Sequence, residues 1–366
     1  MIRNKPGKCL KICKNTMILK NVTLKKCLFT KKCSCAYNDI VHDGTNVRWQ
    51  INKRGRLHRM NTSKKKKVLK SLKRNWLLYV FILPALVYVI LFSYFPMFGL
   101  QIAFKRYTFA DGFSGSEWVG LRWFKQFLTA PRFFTILKNT LVLSIYSMIA
   151  GFPLPIVLAL ILNNVKNVKW KKFAQTITYM PHFISTVVLV GMLSMFFSPN
   201  SGIVNTLLKY LGGSGNTYFM GLPEYFSHMY VWSGVWKGMG WGSIIYLAAL
   251  SGVDQQLHEA ARIDGANKLQ RVLHIDIPSI LPTIVILLIM NCGSIIGVGY
   301  EKVYLMQNSV NIGVSEVIST YVYKMGLGKN QFSYSTAIGL LNNVVNFILL
   351  IIVNKIADKL SGISLW

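Results

Sequence analysis

The chain has 366 residues, 52% of them hydrophobic and only 15% charged, with a mean hydropathy of +0.38. That balance excludes an ordinary soluble globule and fits a polytopic membrane protein. The formal charge of +30 is not spread evenly. Residues 1–75 hold 22 Lys and Arg against two acids, Asp39 and Asp43, and the rest holds 20 basic against 10 acidic side chains.

Residues 1–75 therefore read as a basic arm. Cys9, Cys13, Cys27, Cys33 and Cys35 lie in it, at spacings that match no zinc pattern. No metal is expected there, and no disulfide if the arm is cytoplasmic. Met60 opens a second start-like run, MNTSKKKKVLKSLKRNW. Residues 1–59 read either as disordered sequence or as sequence foreign to the native protein.

Six apolar stretches follow, each near the ~20 residues that cross ~30 Å of hydrocarbon. They run about 76–98, 136–162, 174–197, 226–250, 282–305 and 336–356. The fold class expected is all-α, a polytopic membrane protein with six transmembrane helices, its membrane domain spanning 76–360. Lysines 64–67, 70 and 73 precede the first stretch, and Lys166, Lys169, Lys171 and Lys172 lie between the second and third. The positive-inside rule places both segments, the loop 251–281 and both termini in the cytoplasm. The basic residues of 99–135 dissent, but the first span usually dominates.

The loop 251–281 is the most informative polar segment. Asp254 is suited to cap a short helix. Gly265 breaks that helix, and a second follows with Leu269, Val272 and Leu273 on one face. Pro278 is expected to end the second helix, because proline lacks an N–H and clashes with the preceding turn. The residues alone allow either a solvated loop or a docking surface.

Glu259-Ala260-Ala261, then Asp264-Gly265-Ala266, then Ile275-Asp276-Ile277-Pro278 resemble the EAA loop of binding-protein-dependent ABC importer permeases. The family pattern ends Ile-x-Leu-Pro, and Ile277 replaces the leucine. The resemblance covers about 76–360. Tyr94-Phe95-Pro96, Ile102-Ala103-Phe104-Lys105 and Trp118-Val119-Gly120-Leu121 are similar to the oligosaccharide and polysaccharide branch, near the lipoprotein-and-polysaccharide permeases. An aromatic belt at the outer interface would use the same residues.

The resemblance implies a type I importer permease fold and a cell-membrane subunit working in a set. Its partners would be a second homologous permease, a cytoplasmic ATPase dimer, an extracytoplasmic solute-binding protein, membrane lipid and a sugar substrate. ATPase coupling would rest on Glu259, Ala260, Ala261, Asp264, Gly265, Ile275 and Pro278. ATP and Mg²⁺ would belong to the partner ATPase, leaving this chain without a cofactor.

The chain itself carries no catalytic cluster. Gly328-Lys329 continues as Asn330 and lacks P-loop spacing, so no enzyme activity is expected. Polar residues inside spans mark cavities or helix packing. Those expected on the substrate pathway are Trp236, Asn291, Tyr300, Glu301 and Asn346. Ser294, Asn342, Asn343, Trp232 and Trp241 have the same character, and Asn342 and Asn346 share a helix face. Gly238, Gly240 and Gly242 are expected to pack helices rather than line a pore.

An ion-coupled secondary transporter is the rival reading, and it would call for internal repeats and buried ionisable groups near the midplane. Only Glu301 and Lys237 are weak candidates for such groups. A nucleic-acid binder built on the arm is the other class. Positive-inside placement already accounts for its lysines, and no nucleic-acid partner is expected.

Overall fold

A computed structural model describes residues 41–42, 48–51, 57–59 and 74–366 except 214. The five arm cysteines and most of residues 1–59 lie outside the described residues. The chain divides into two units, Met1–Ile90 and Leu91–Trp366.

The first unit holds a three-stranded antiparallel sheet of Val41–His42, Arg48–Ile51 and Leu57–Arg59. Its register pairs Val41 with Trp49 and Ile51 with Leu57. The arm reading did not anticipate this sheet. Val41, Trp49 and Ile51 are β-branched or aromatic, the types that suit a pleated surface, while His42 with Arg48 and Gln50 with His58 are polar pairs. The helix Trp76–Val89 completes the unit. It is apolar on every side and exposed along its described length, as a helix facing lipid must be.

The second unit is helical. Phe133–Gly151 and Pro153–Asn163 form one apolar stretch of 31 residues. The expected single span at 174–197 is instead broken. Val168–Phe183 and Thr186–Phe196 meet at 98°. Pro181 lies in the 3₁₀ turn Met180–Phe183, and the Ser185 hydroxyl caps the new helix by accepting from Val188 N at 3.3 Å. A residue without an N–H followed by an N-cap ends one helix and starts another.

The helix Pro223–Ser251 has 29 residues, long enough to cross a bilayer at about 1.5 Å per residue. It packs closely on Pro153–Asn163 and on the end of Val168–Tyr179. A Cβ on Gly240 would collide with the Thr178 carbonyl, and one on Gly242 would stand 3.2 Å from Pro155 Cγ. Glu224, His228 and Lys237 lie in this helix, which is not among the stretches apolar enough to cross a membrane by composition.

The stretch expected at 282–305 is corrected too. The helix Ile277–Cys292 stops at Cys292, and Tyr300–Met306 is a separate short helix. Gly293, Gly297 and Gly299 crowd the gap, and the freed Ile296 N–H donates to Asn346 Oδ1 at 3.1 Å. Phe332–Ser361 is the last helix, and Gly362 closes it in the left-handed conformation.

Among the described residues, four helical stretches are long and apolar enough to cross a membrane, or five if the bent pair is one span. The expected six is reached only if the Pro223–Ser251 helix crosses as well. Three apolar clusters hold this unit together. One joins Leu143, Phe226, Val231, Val235, Val303 and Val317. A second joins Phe127, Ile136, Ile296, Tyr321, Tyr334 and Ile338. The third joins Ala159, Tyr246, Leu250 and Ile280. The aromatic segment from Phe104 to Phe127 is packed, not merely a belt: Phe104 stacks on Trp118 at 5.7 Å and Trp123 Nε1 donates to the Lys105 carbonyl at 3.0 Å.

Candidate functional site

The loop 251–281 builds an elbow from local rules. Asp254 Oδ1 accepts from Gln256 N at 2.9 Å and starts the helix Gln255–Ile263. That helix closes with two bonds, Gly265 N to Arg262 O at 3.1 Å and Ala266 N to Ala261 O at 2.8 Å. This is a Schellman motif, and it needs Gly265 at φ +81°, where a side chain is strained. Asn267 and Gln270 then form a reciprocal capping box.

The second short helix, Lys268–Arg271, does not end at Pro278. It passes through the wide turn Val272–Asp276 straight into Ile277–Cys292. Pro278 sits in the first turn of that helix, where its missing N–H need not break the ladder. The elbow is therefore continuous with an apolar stretch of 25 residues, Lys268–Cys292.

Glu259, Ala260, Asp264, Gly265 and Pro278 are exposed, and Ala261 and Ile275 are half-buried. Leu257, Ile263 and Leu269 are apolar yet 52%, 86% and 67% exposed. Single exposed apolar residues mean little, but three on one polar elbow leave apolar surface uncovered there.

A side-chain clip that the sequence did not reveal holds the elbow at its root. Asp276 is buried, and its Oδ1 lies 3.2 Å from His258 Nε2. The contact is an ion-pair distance without the alignment of a hydrogen bond. The Arg271 Nε beside it is buried without a partner. The 18-residue separation of His258 and Asp276 follows no local period, which is why pattern reading missed it.

A cavity of about 580 Å³ lies among the helices Phe133–Gly151, Pro223–Ser251 and Ile277–Cys292 and the start of Tyr300–Met306. Ser144, Ser147, Tyr230, Asn291, Ser294 and Lys302 supply its polar wall. Asn291 Nδ2 donates to its own helix at Leu287 O, 2.8 Å, so its Oδ1 is the group left to face the cavity. A smaller cavity of about 180 Å³ is lined by Lys237, Glu301 and Lys302 among others.

The five expected pathway residues are thus not brought together. Asn291 lines the larger cavity and Glu301 the smaller. Trp236, Tyr300 and Asn346 line neither. Tyr300 stacks on Tyr323 at 5.0 Å, and Asn346 caps the broken helix at Ile296. Asn342 Oδ1 is buried without a partner. Trp232 Nε1 donates to the Tyr146 hydroxyl at 2.9 Å, and Trp241 stacks on His182 at 4.5 Å. Gly238 and Gly242 line the cavity, while Gly240 makes the tight packing contact. Tyr230, Lys302, Ser144 and Ser147 were missed, because nothing in their spacing separates them from packing residues.

A helical membrane unit with a polar cavity between its helices and a self-capped polar elbow at one helix root is the architecture of a transport component. The chain belongs to the family of binding-protein-dependent transport system inner membrane components, which it matches over residues 151–362. It is 44% identical to Protein LplB of Bacillus subtilis over 289 residues, covering 79% of this chain and 91% of that one. It is 44% identical over 296 residues to the polygalacturonan/rhamnogalacturonan transport system permease protein YteP of the same organism, covering 81% and 92%. A crystal structure of a bacterial ABC transporter involved in the import of the acidic polysaccharide alginate contains a similar chain. The TM-score is 0.74 at 38% identity, covering 81% of this chain and 99% of that one. A crystal structure of a bacterial alginate ABC transporter in complex with an alginate pentasaccharide-bound periplasmic protein gives a TM-score of 0.73.

Proposed function

We propose that this chain is the permease subunit of an ABC importer that moves an oligosaccharide, or a sugar released from a polysaccharide, across the cytoplasmic membrane. ATP hydrolysis takes place on partner subunits. The observation that carries the reading is the exposed, self-capped elbow of Glu259 to Pro278 on the root of the Lys268–Cys292 stretch. An ATPase seated on Leu257, Ile263 and Leu269 would push that stretch directly, and Asn291 lies on its far part. Motion at the elbow thus reaches the cavity wall through one helix.

A second permease closes the cavity from the opposite side, and a solute-binding protein delivers the sugar from outside. The relatives named for polygalacturonan and alginate transport support a saccharide cargo. The periplasmic protein in the alginate complex supports the delivery step. The elbow and both termini are assigned to the cytoplasm, following the lysine distribution.

The test is cross-linking in the assembled complex. Cysteines at Leu257, Ala261, Ile263 and Leu269 are expected to cross-link to the ATPase, and ATP is expected to change the yield. No cross-link at any of the four would overturn the docking assignment. Failure of the reconstituted complex to move any oligosaccharide would overturn the transport reading.

A further inference from the structure

Lys302 stands where the two cavities meet, since both are lined by Tyr230, Gly234, Gly299 and Lys302. Its Nζ donates to the Tyr230 carbonyl at 2.6 Å and lies 4.5 Å above the centre of the Tyr230 ring. Both contacts hold the ammonium in place, yet neither neutralises it. A Cβ on Gly234 would stand 3.3 Å from the same Nζ, so this glycine leaves the space that the head group occupies. Lys237 lines the smaller cavity as a second cation.

The local charge is not balanced. Among the described residues the ion pairs are Arg132 and Lys324 with Glu316, and His258 with Asp276. Neither Lys237 nor Lys302 is in an ion pair. Glu301 is the one carboxylate lining these cavities, and it lies beyond ion-pair distance of both lysines. A cation held between helices without a counter-ion is costly, and such groups mark ligand paths. An ammonium has three donors. One is committed to Tyr230 O, which leaves two for a ligand.

We propose that Lys302 is an anion-binding subsite of the translocation cavity and that it receives the carboxylate of a uronic-acid residue in the cargo. This rests on the sugar-permease reading and narrows it to acidic oligosaccharides. The Tyr230 carbonyl and ring fix the ammonium, and Lys237 adds positive potential along the same wall. The neutral polar groups Ser144, Ser147, Asn291 and Ser294 are left for hydroxyls.

The test uses the complete importer in proteoliposomes, with trigalacturonate as the acidic probe and galactotriose as the neutral one. The wild-type complex is expected to move trigalacturonate at least tenfold faster. Lys302→Gln is expected to lower the ratio of trigalacturonate to galactotriose transport at least tenfold. Lys302→Arg is expected to keep most of the acidic preference. Gly234→Ala, which keeps the charge but crowds it, is expected to lower the preference a few-fold and carries the test if Lys302→Gln does not assemble. Equal loss of both probes in these variants would make Lys302 a packing residue and overturn the proposal. Transport of galactotriose alone by the wild type would also overturn it and leave the permease reading intact. Transport of neither probe or of any other saccharide would instead sink the permease reading itself.

Discussion

The loop 251–281 and the stretch 293–331 both interrupt long apolar helices, and they satisfy their backbones in opposite ways. The loop closes on itself. Its caps come from Asp254, Gly265, Asn267 and Gln270, all within a few residues of the groups they satisfy. The stretch 293–331 is tied to distant parts of the chain. Ile296 N reaches Asn346, Ile318 N reaches Thr140 Oγ1, and Asn311 Nδ2 reaches the Met220 carbonyl. Glu316 accepts from both Arg132 and Lys324, at 3.4 and 3.3 Å. A segment that satisfies itself can leave its side chains exposed for a partner. A segment satisfied by the rest of the fold becomes scaffold, and it holds Lys302 at the cavity.

The largest effect is expected where the loop depends on one backbone conformation. Gly265 has open space around it, so a substituent there meets no clash. The penalty comes only from φ +81°, about 1–3 kcal/mol for a residue strained in this region. Gly265→Val is expected to lower uptake about a hundredfold while membrane levels of the protein stay normal. Uptake within twofold of wild type would show that the elbow tolerates a different bend.

The same contrast explains what the sequence made legible. Caps and glycine turns use near neighbours, so Asp254, Gly265 and the elbow could be read from spacing. The end of the second elbow helix could not. Pro278 looks like a terminator, but the wide turn at Val272–Asp276 lets the chain continue into the next helix with proline in its first turn. The span boundaries failed at Pro181 and after Cys292 for a related reason. A hydropathy window that takes in both arms does not see the bend between them. The cavity wall was least legible. Asn291 and Asn346 have the same chemistry, and only the tertiary partner, Ile296 N, separates a packing asparagine from one facing open space.

That separation gives the next prediction. Asn346→Ala removes the acceptor of a part-buried N–H, worth about 1–3 kcal/mol when the donor is left unpaired. It is expected to lower Tm and membrane level together, with uptake falling only in step with the protein. Asn291→Ala is expected to lower uptake about tenfold at unchanged Tm. Thermal unfolding and uptake measured on both variants check this. A drop in Tm for Asn291→Ala, or none for Asn346→Ala, would reverse the two roles.

A smaller effect is expected at the clip. Asp276→Asn keeps the shape against His258 but removes the charge, so the elbow should sit less firmly on its helix. Affinity for the ATPase is expected to fall a few-fold, measured by pull-down of the assembled complex. His258→Ala in the same background should add little, because residues that share one contact do not contribute independently. Fully additive losses would mean that His258 touches the ATPase directly.

The arm is where the least change is expected. The matches to the two Bacillus subtilis relatives leave about a fifth of this chain uncovered, a length close to that of the basic arm. The lysines that set orientation, Lys64 to Lys67, Lys70 and Lys73, all follow Met60. A chain starting at Met60 keeps that whole group beside the helix Trp76–Val89, and with it the topogenic signal. It loses the three-stranded sheet of Val41–Arg59 and the five cysteines. Uptake and membrane level are expected to match the full chain within twofold. Normal insertion with lost uptake would assign the sheet a part in transport, while failed insertion would place a topogenic signal upstream of Met60.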